Sequence, residues 1–220
     1  MGRPVMEAGA ALGFEGYPWP FYMVGRGGVL GDVDPRELAP AMMFPSPELV
    51  RTAWAQGRAE LAPEEGVARF IACAYGWAPG ALGQSDEVVR ATELLEQLAG
   101  TVDCTVAPLA EGWRRVPMPG SVPERAVWAI QILREQRGGV HIAEVVRAGL
   151  TPLEAIMATE GEFMANMYGW EPPYPDVEAS RTRKVPVEEA TNESVARTYV
   201  GLDDGELDEL ARLLEAIQPA

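Results

Sequence analysis

The sequence predicts an all-α protein, and three observations support that fold class. Four segments have a capping Ser, Thr or Asp followed three residues later by glutamate, and they begin at Asp34, Ser121, Thr151 and Asp203. Apolar residues recur behind these starts at helical spacing. No segment alternates β-branched with polar residues between hairpin signals. We expect about eight or more helices in a multi-helix orthogonal bundle, with at most a short β-ribbon.

The individual elements follow from these signals in chain order. Ser46-Pro47 and Ser85 indicate further helix starts, because both residues can cap a first helical turn. Apolar stripes that predict core-facing helix surfaces cover residues 49–54, 67–74, 88–98, 126–133, 142–146 and 207–217. Two stretches are predicted to be irregular. They are residues 13–31, rich in glycine and aromatic residues, and residues 169–184, whose prolines delay the next helix to about Pro186.

A length of 220 residues suits one large domain or two small ones. We expect an N-terminal helical part at residues 1–120 and a C-terminal helical part at residues 121–220, and the two can equally form one continuous domain. Hydrophobic residues make up 47% and charged residues 23%, which is the balance of a globular chain.

The chain carries 18 Lys and Arg against 33 Asp and Glu, a formal charge of -15. Such a field repels phosphate backbones, so it argues against nucleic acid as a partner. The nearest approach to a basic patch is Arg181, Arg183 and Lys184, which we interpret as a solvated loop. No run of about 18 apolar residues exists, so we expect no membrane partner. Cys73 and Cys104 are too few for a disulfide framework, which favours the reducing cytoplasm.

Several stretches of the chain resemble a family of uncharacterised actinobacterial helix-turn-helix, MarR-like proteins. They lie at residues 6–31, 42–54, 126–155 and 188–214, and the third, which contains "REQRGGVH", is the most specific. The resemblance implies a winged-helix-like C-terminal part and a final helix that forms a homodimer through Leu207, Leu210, Leu214 and Ile217. This chain departs from the family after "MYGW", because the prolines of "EPPYPDVEAS" degrade the expected reading helix.

His141 is the only histidine, so chemistry that needs a side chain titrating near neutrality depends on this position. It can serve as a general acid or base, bind a ligand, or make a structural hydrogen bond at a helix start. A metal site is not expected, because neither Cys-x-x-Cys nor His-Glu-x-x-His spacing occurs. We expect no cofactor either.

Arginines supply the candidate polar end of a ligand site. Arg134 and Arg137 are three residues apart on one helical face, and guanidinium groups bind carboxylates and phosphates well. Ordinary pairing with Glu135 or Glu144 is the alternative. Arg26 lies in a "GRGG" segment that allows close backbone approach, although no phosphate-loop pattern surrounds it.

Aromatic and methionine side chains could line an apolar pocket, among them Trp128 on the helix that carries His141. The first hypothesis is therefore a protein that binds a small, partly apolar molecule, anionic if the arginines hold it, through Arg26, Trp128, Arg134, Arg137 and His141. Two alternatives stay open. One is a cofactor-independent enzyme with catalytic His141, and the other is a MarR-like transcriptional regulator.

Overall fold

The computed structural model describes residues 3–14 and 16–217 of the chain, and these residues form thirteen α-helices and one 3-10 helix without a strand. The all-α prediction is confirmed. The α-helices are α1 (Arg3–Ala11), α2 (Trp19–Gly27), α3 (Pro35–Met42), α4 (Pro47–Glu60), α5 (Pro63–Tyr75), α6 (Ala78–Leu82), α7 (Asp86–Thr101), α8 (Pro108–Arg114), α9 (Val122–Arg147), α10 (Pro152–Thr159), α11 (Gly161–Met167), α12 (Val177–Ala196) and α13 (Asp204–Ala216). The 3-10 helix is Gly28–Leu30.

The helix starts are built as the capping pattern predicts. The Asp34 and Ser46 side chains accept hydrogen bonds from backbone amides in the first turns of α3 and α4. Thr151 and Asp203 form complete capping boxes with glutamates of α10 and α13. At Ser121 the chain also enters a helix, but this hydroxyl donates to the Glu124 carboxylate and caps no backbone amide.

The two segments predicted to be irregular contain helices, and this part of the prediction was wrong. Residues 13–31 include α2, in which aromatic residues form a buried helix face. The second segment includes the start of α12, which Asp176 caps and which continues through Pro186. Proline removes only one amide donor from a helix. Pro186 is exposed, so water can reach the carbonyl that lost its partner.

Helix α9, with 26 residues, is the central element of the fold. It packs against α7 and α8 on one side and against α12 on another, and it also meets α5 and α6. The largest apolar cluster takes side chains from both sides of position 120, including Phe21, Trp113, Ile132 and Leu210. The division at residue 120 stays a prediction.

Helix α13 packs against α7 of its own chain, where Arg90 and Glu209 form an ion pair. Leu210 is buried in the main core, whereas Leu214 is 43% exposed. Homodimer formation through this helix therefore stays a prediction, with Leu214 as its exposed apolar residue. Among the described residues, no helix combines the length and apolar character needed to cross a bilayer.

Helix α2 lies unusually close to α4 and α5 because glycines stand at the crossings. A Cβ atom on Gly66 of α5 would lie 2.2 Å from Val24 Cγ1, and one on Gly57 of α4 would lie 2.4 Å from the Pro20 carbonyl oxygen. Neither approach is compatible with a side chain. These glycines therefore set the position of α2, which carries Arg26 and much of the aromatic surface described below.

We expect Gly66→Ala to lower the free energy of unfolding by about 1–3 kcal/mol, because the methyl group overpacks the crossing of α2 and α5. The matched control is Gly138→Ala in the middle of α9, where nothing lies within 4 Å of the added Cβ. There the better helix propensity of alanine should stabilise the protein by about 0.5–1 kcal/mol. Urea unfolding measures both, and equal effects would contradict close packing at Gly66.

Candidate functional site

A cavity of about 550 Å³ opens between α2, α5 and α9 and is closed on one side by the turn that joins α3 to α4. Eight of the nineteen residues that line it are aromatic. The aromatic side chains that line it are Tyr17, Trp19, Tyr22, Phe44, Phe70, Tyr75, Trp77 and Tyr168. Several of these rings contact one another, as in the edge-on arrangement of Trp19 and Tyr22 with centroids 5.8 Å apart. Such a wall accommodates a flat apolar molecule.

Arg26 lines the cavity and forms a buried ion pair with Glu135 behind the cavity wall. Arg26 of α2 donates through Nε to Glu135 Oε1 at 2.8 Å and through Nη2 to Glu135 Oε2 at 2.7 Å. The Gln131 amide also donates to Glu135, and Arg26 Nη1 donates to the Tyr22 hydroxyl. The side chains of Arg26 and Glu135 are 15% and 1% exposed. This is the bidentate geometry in which arginine binds a carboxylate most strongly.

Two opposing effects act on the pKa of Glu135. Burial raises this pKa, but the Arg26 charge and its hydrogen bonds outweigh burial, so the pKa of Glu135 lies below its usual value. The carboxylate is therefore ionised at neutral pH. A depressed pKa contributes stability that is present above the unfolded-state value of about 4.3 and is lost as the pH falls toward the folded-state value.

Tyr75 contributes to the cavity wall, but its hydroxyl is buried behind that wall. Tyr75 is 1% exposed, and its hydroxyl has no hydrogen-bond partner among the described residues. Burial raises its pKa, so the hydroxyl stays neutral at physiological pH. A buried polar group without a partner is costly.

Arg134 stands at the exposed rim of the same cavity. Its Nη1 donates to the Gln131 side-chain oxygen at 3.3 Å. No carboxylate of the described chain lies within ion-pair distance of this guanidinium, in contrast to the neighbouring arginines of α9. The structure thus brings two residues of the sequence-based site, Arg26 and Arg134, to one cavity.

The other candidate residues lie elsewhere. Trp128 packs in the main core, and its indole N–H donates to the Val116 carbonyl at 3.3 Å. Arg137 lies on the surface between α9 and α12, where its Nη2 donates to Glu188 at 3.1 Å and to Asn192 at 3.3 Å. Neither residue lines the aromatic cavity.

His141 is buried at the interface of α9 and α12 and does not line the cavity, although its ring centroid lies 6.4 Å from that of the lining residue Phe44. Its Nδ1 lies 3.0 Å from Thr191 Oγ1, and its Nε2 lies 2.8 Å from Lys184 Nζ. Because the Thr191 hydroxyl already donates to the Val187 carbonyl, Thr191 must accept from His141 Nδ1–H. Nε2 then carries the lone pair that accepts from Lys184. This arrangement defines a neutral imidazole.

The electrostatics of this interface agree with a neutral histidine. Burial lowers the pKa of His141, and the positive charge of Lys184 lowers it further, while Glu188 acts in the opposite direction. Burial also lowers the pKa of Lys184. The described residues contain no cluster of three or more His, Cys, Asp or Glu side chains that could hold a metal ion.

Sequence reasoning missed Tyr75 as a lining residue and Glu135 as the partner of Arg26. The sequence did indicate that Glu135 is buried, since it lies one helical turn after Ile132 on the core side of α9. The sequence suggested a pairing of Glu135 with Arg134 or Arg137, but its partner is Arg26, which is distant in sequence. Nothing in the pattern around Tyr75 shows that its hydroxyl lacks a partner.

The described residues form an all-helical protein with an aromatic cavity. Comparison with protein families then identifies the class of protein to which the chain belongs. The model of a helix-turn-helix family matches residues 2–183. The chain belongs to this helix-turn-helix family. No curated protein and no solved structure was found to match the chain.

Family membership overturns the expectation that nucleic acid is not a partner, because helix-turn-helix proteins suggest nucleic-acid binding. The net charge of -15 was a poor guide, since it averages over the whole surface whereas this motif docks through one helix. The prediction of a degraded reading helix also rested on the proline-rich segment, part of which is helical in α12.

Helices α3 and α4 are joined by the short turn of residues 43–46. The basic residues near position 183 lie in α12 and make hydrogen bonds within the chain. Arg183 binds the Gly149 carbonyl and Glu154, and Lys184 donates to His141.

We expect His141→Ala to lower the free energy of unfolding by about 2–3 kcal/mol, because it removes one hydrogen-bond partner from each of the buried Lys184 and Thr191 side chains and leaves a void between α9 and α12. Cavity binding should be unchanged. The pKa of folded His141 is depressed, so wild-type stability should fall between about pH 7 and pH 5.5 as the unfolded chain gains a proton first.

His141→Gln is the control, because an amide can keep both hydrogen bonds but cannot titrate. Its stability should vary less over that pH range than the stability of the wild type. Chemical unfolding at several pH values measures the difference. A His141→Ala protein that unfolds like the wild type but loses cavity binding would contradict the structural role.

Proposed function

We propose that this helix-turn-helix protein is a ligand-responsive, MarR-like regulator that binds a small molecule in its aromatic cavity. The observation that carries this proposal is the cavity itself, whose wall combines eight aromatic side chains with the exposed Arg134 guanidinium. An apolar wall with few polar groups is typical of small-molecule sites. The cavity volume of about 550 Å³ also falls in the range of small-molecule sites.

The lining indicates the chemistry of the ligand. A flat aromatic body fits between rings such as Trp19, Phe44 and Phe70. Arg134 offers a guanidinium at the rim that has no ion-pair partner among the described residues. An aromatic carboxylate suits this group, because charge-assisted hydrogen bonds to arginine are the stronger kind. Glu135 does not repel it, since that charge is already compensated by Arg26.

The cavity supports binding better than catalysis. The enzyme alternative needs His141 as general acid or base, but His141 does not line the cavity and both ring nitrogens are engaged. A general base must lie within hydrogen-bond reach of the proton that it moves.

Calorimetric titration with indole-3-acetate tests the ligand proposal, with the neutral indole-3-acetamide as the matched control compound. We expect the carboxylate to bind at least about tenfold more tightly, since one charge-assisted hydrogen bond contributes roughly 1.5–3 kcal/mol. Arg134→Gln should remove this difference. Arg137→Gln, three residues along the same helix but outside the cavity, should not.

Tyr75→Phe should leave binding of both compounds unchanged and the free energy of unfolding unchanged or higher, because the hydroxyl is buried and makes no hydrogen bond with the described residues. If neither compound binds, or if Arg137→Gln and Arg134→Gln have equal effects, the proposed anionic ligand is wrong.

The second function is DNA binding through α4, which follows the short turn as a reading helix would. Arg51 and Gln56 are exposed on this helix, and these side-chain types pair with guanine and adenine edges. Arg51 is held by Glu48 in the free protein through exposed ion pairs, which contribute little and exchange readily.

Selection from random duplex DNA at about 50 mM salt should enrich a sequence, because low salt favours the phosphate contacts that the acidic chain can make. Arg51→Ala with Gln56→Ala should abolish the enrichment. Arg69→Ala, an exposed arginine of α5 that pairs with Glu65, is the control. Failure to enrich any sequence, or equal enrichment by the double variant, would count against reading by α4.

A further inference from the structure

The turn between α3 and α4 is part of the cavity wall. Met42, Phe44 and Pro45 all line the cavity, and Phe44 approaches Tyr168 with ring centroids 6.3 Å apart. The next residue, Ser46, caps α4 by accepting from the Leu49 amide. A molecule in the cavity would therefore touch the segment that sets where α4 begins.

The backbone of this turn is strained at Met43. Its φ of 56° and ψ of -63° define a γ-turn of the positive-φ type, and the Phe44 amide donates to the Met42 carbonyl at 2.8 Å across it. Met43 is the only non-glycine residue with positive φ in the described chain. Such a conformation persists only where its surroundings impose it.

Packing and hydrogen bonds from the C-terminal helices impose the strained turn. The Met43 side chain is buried in a small cluster with Val145, Leu150 and Val187. The Trp170 indole N–H donates to the Phe44 carbonyl at 2.8 Å, and the Ser46 amide donates to the Tyr168 carbonyl at 2.8 Å. We call these two hydrogen bonds the latch.

We propose that the residue 42–46 turn is a switch, through which a molecule in the cavity controls the position of α4. This inference rests on the proposed ligand binding. An occupant that displaces the Phe44 ring pulls its backbone from the latch, and the strain at Met43 favours release. The turn lines the cavity differently when the latch is intact and when it is broken. The occupant therefore binds the two states of the turn with different affinities, and control of α4 requires such a difference.

Amide hydrogen exchange measured by NMR tests the switch and does not require the natural ligand. Ala74→Phe places a ring in the cavity from α5 and mimics an occupant. We expect the Phe44 and Ser46 amides to exchange at least about tenfold faster in this variant, with core amides of α7 unchanged. If Ala74→Phe does not fold, a benzyl group attached by disulfide to Cys73 in a Cys104→Ser background serves instead.

Trp170→Phe should open the turn while the cavity is empty, because it deletes one latch hydrogen bond and keeps an aromatic ring. Trp128→Phe is the matched control, since it deletes an indole hydrogen bond to a carbonyl remote from the turn. Only Trp170→Phe should accelerate exchange at Phe44 and Ser46.

The switch is overturned if the filled cavity leaves these two amides within about twofold of wild type, or accelerates α7 equally. It is also overturned if the two tryptophan variants behave alike. Binding of indole-3-acetate without faster exchange would refute the switch and keep the ligand proposal. Faster exchange in Ala74→Phe without binding of indole-3-acetate would refute that ligand class and keep the switch.

Discussion

The ion pair between Arg26 and Glu135 joins α2 to α9, and both of these helices supply side chains to the aromatic cavity. Both charges are largely removed from water, so each depends on the other. Deleting one partner of such a pair typically costs about 3–5 kcal/mol, because the remaining charge stays buried. Gln131 and Tyr22 complete the coordination and come from the same two helices. The close glycine-mediated packing of α2 keeps this geometry fixed.

The cavity combines a satisfied charge pair with one charged group that remains available. Arg26 is committed to Glu135, whereas the Arg134 guanidinium at the rim has no ion-pair partner among the described residues. This division explains why the proposed ligand is recognised by Arg134 and not by Arg26. The same wall includes Phe44, so recognition of a ligand and the geometry of the α3–α4 turn share one surface.

The second polar cluster surrounds His141 and has a structural role. It connects α9 to α12 through hydrogen bonds to Thr191 and Lys184, and its neutral imidazole avoids placing two positive charges 2.8 Å apart. Met43 packs in the apolar cluster that α9, α10 and α12 form beside it. The His141 cluster therefore supports the C-terminal surface that holds the strained turn.

The sequence by itself determined the helical class and several helix starts, because capping residues and apolar spacing act within a few residues of the chain. It also identified Arg26 and Arg134 as candidate binding residues by their chemistry. It misjudged residues 13–31 and 169–184, since tertiary packing of the α2 aromatic face and of α12 outweighs local glycine and proline signals. Only the tertiary structure decided that Glu135 pairs with Arg26, that Tyr75 keeps an unpaired hydroxyl and that His141 faces Lys184. Those outcomes depend on which helices meet, and residues 109 positions apart in the chain carry no local sign of their contact.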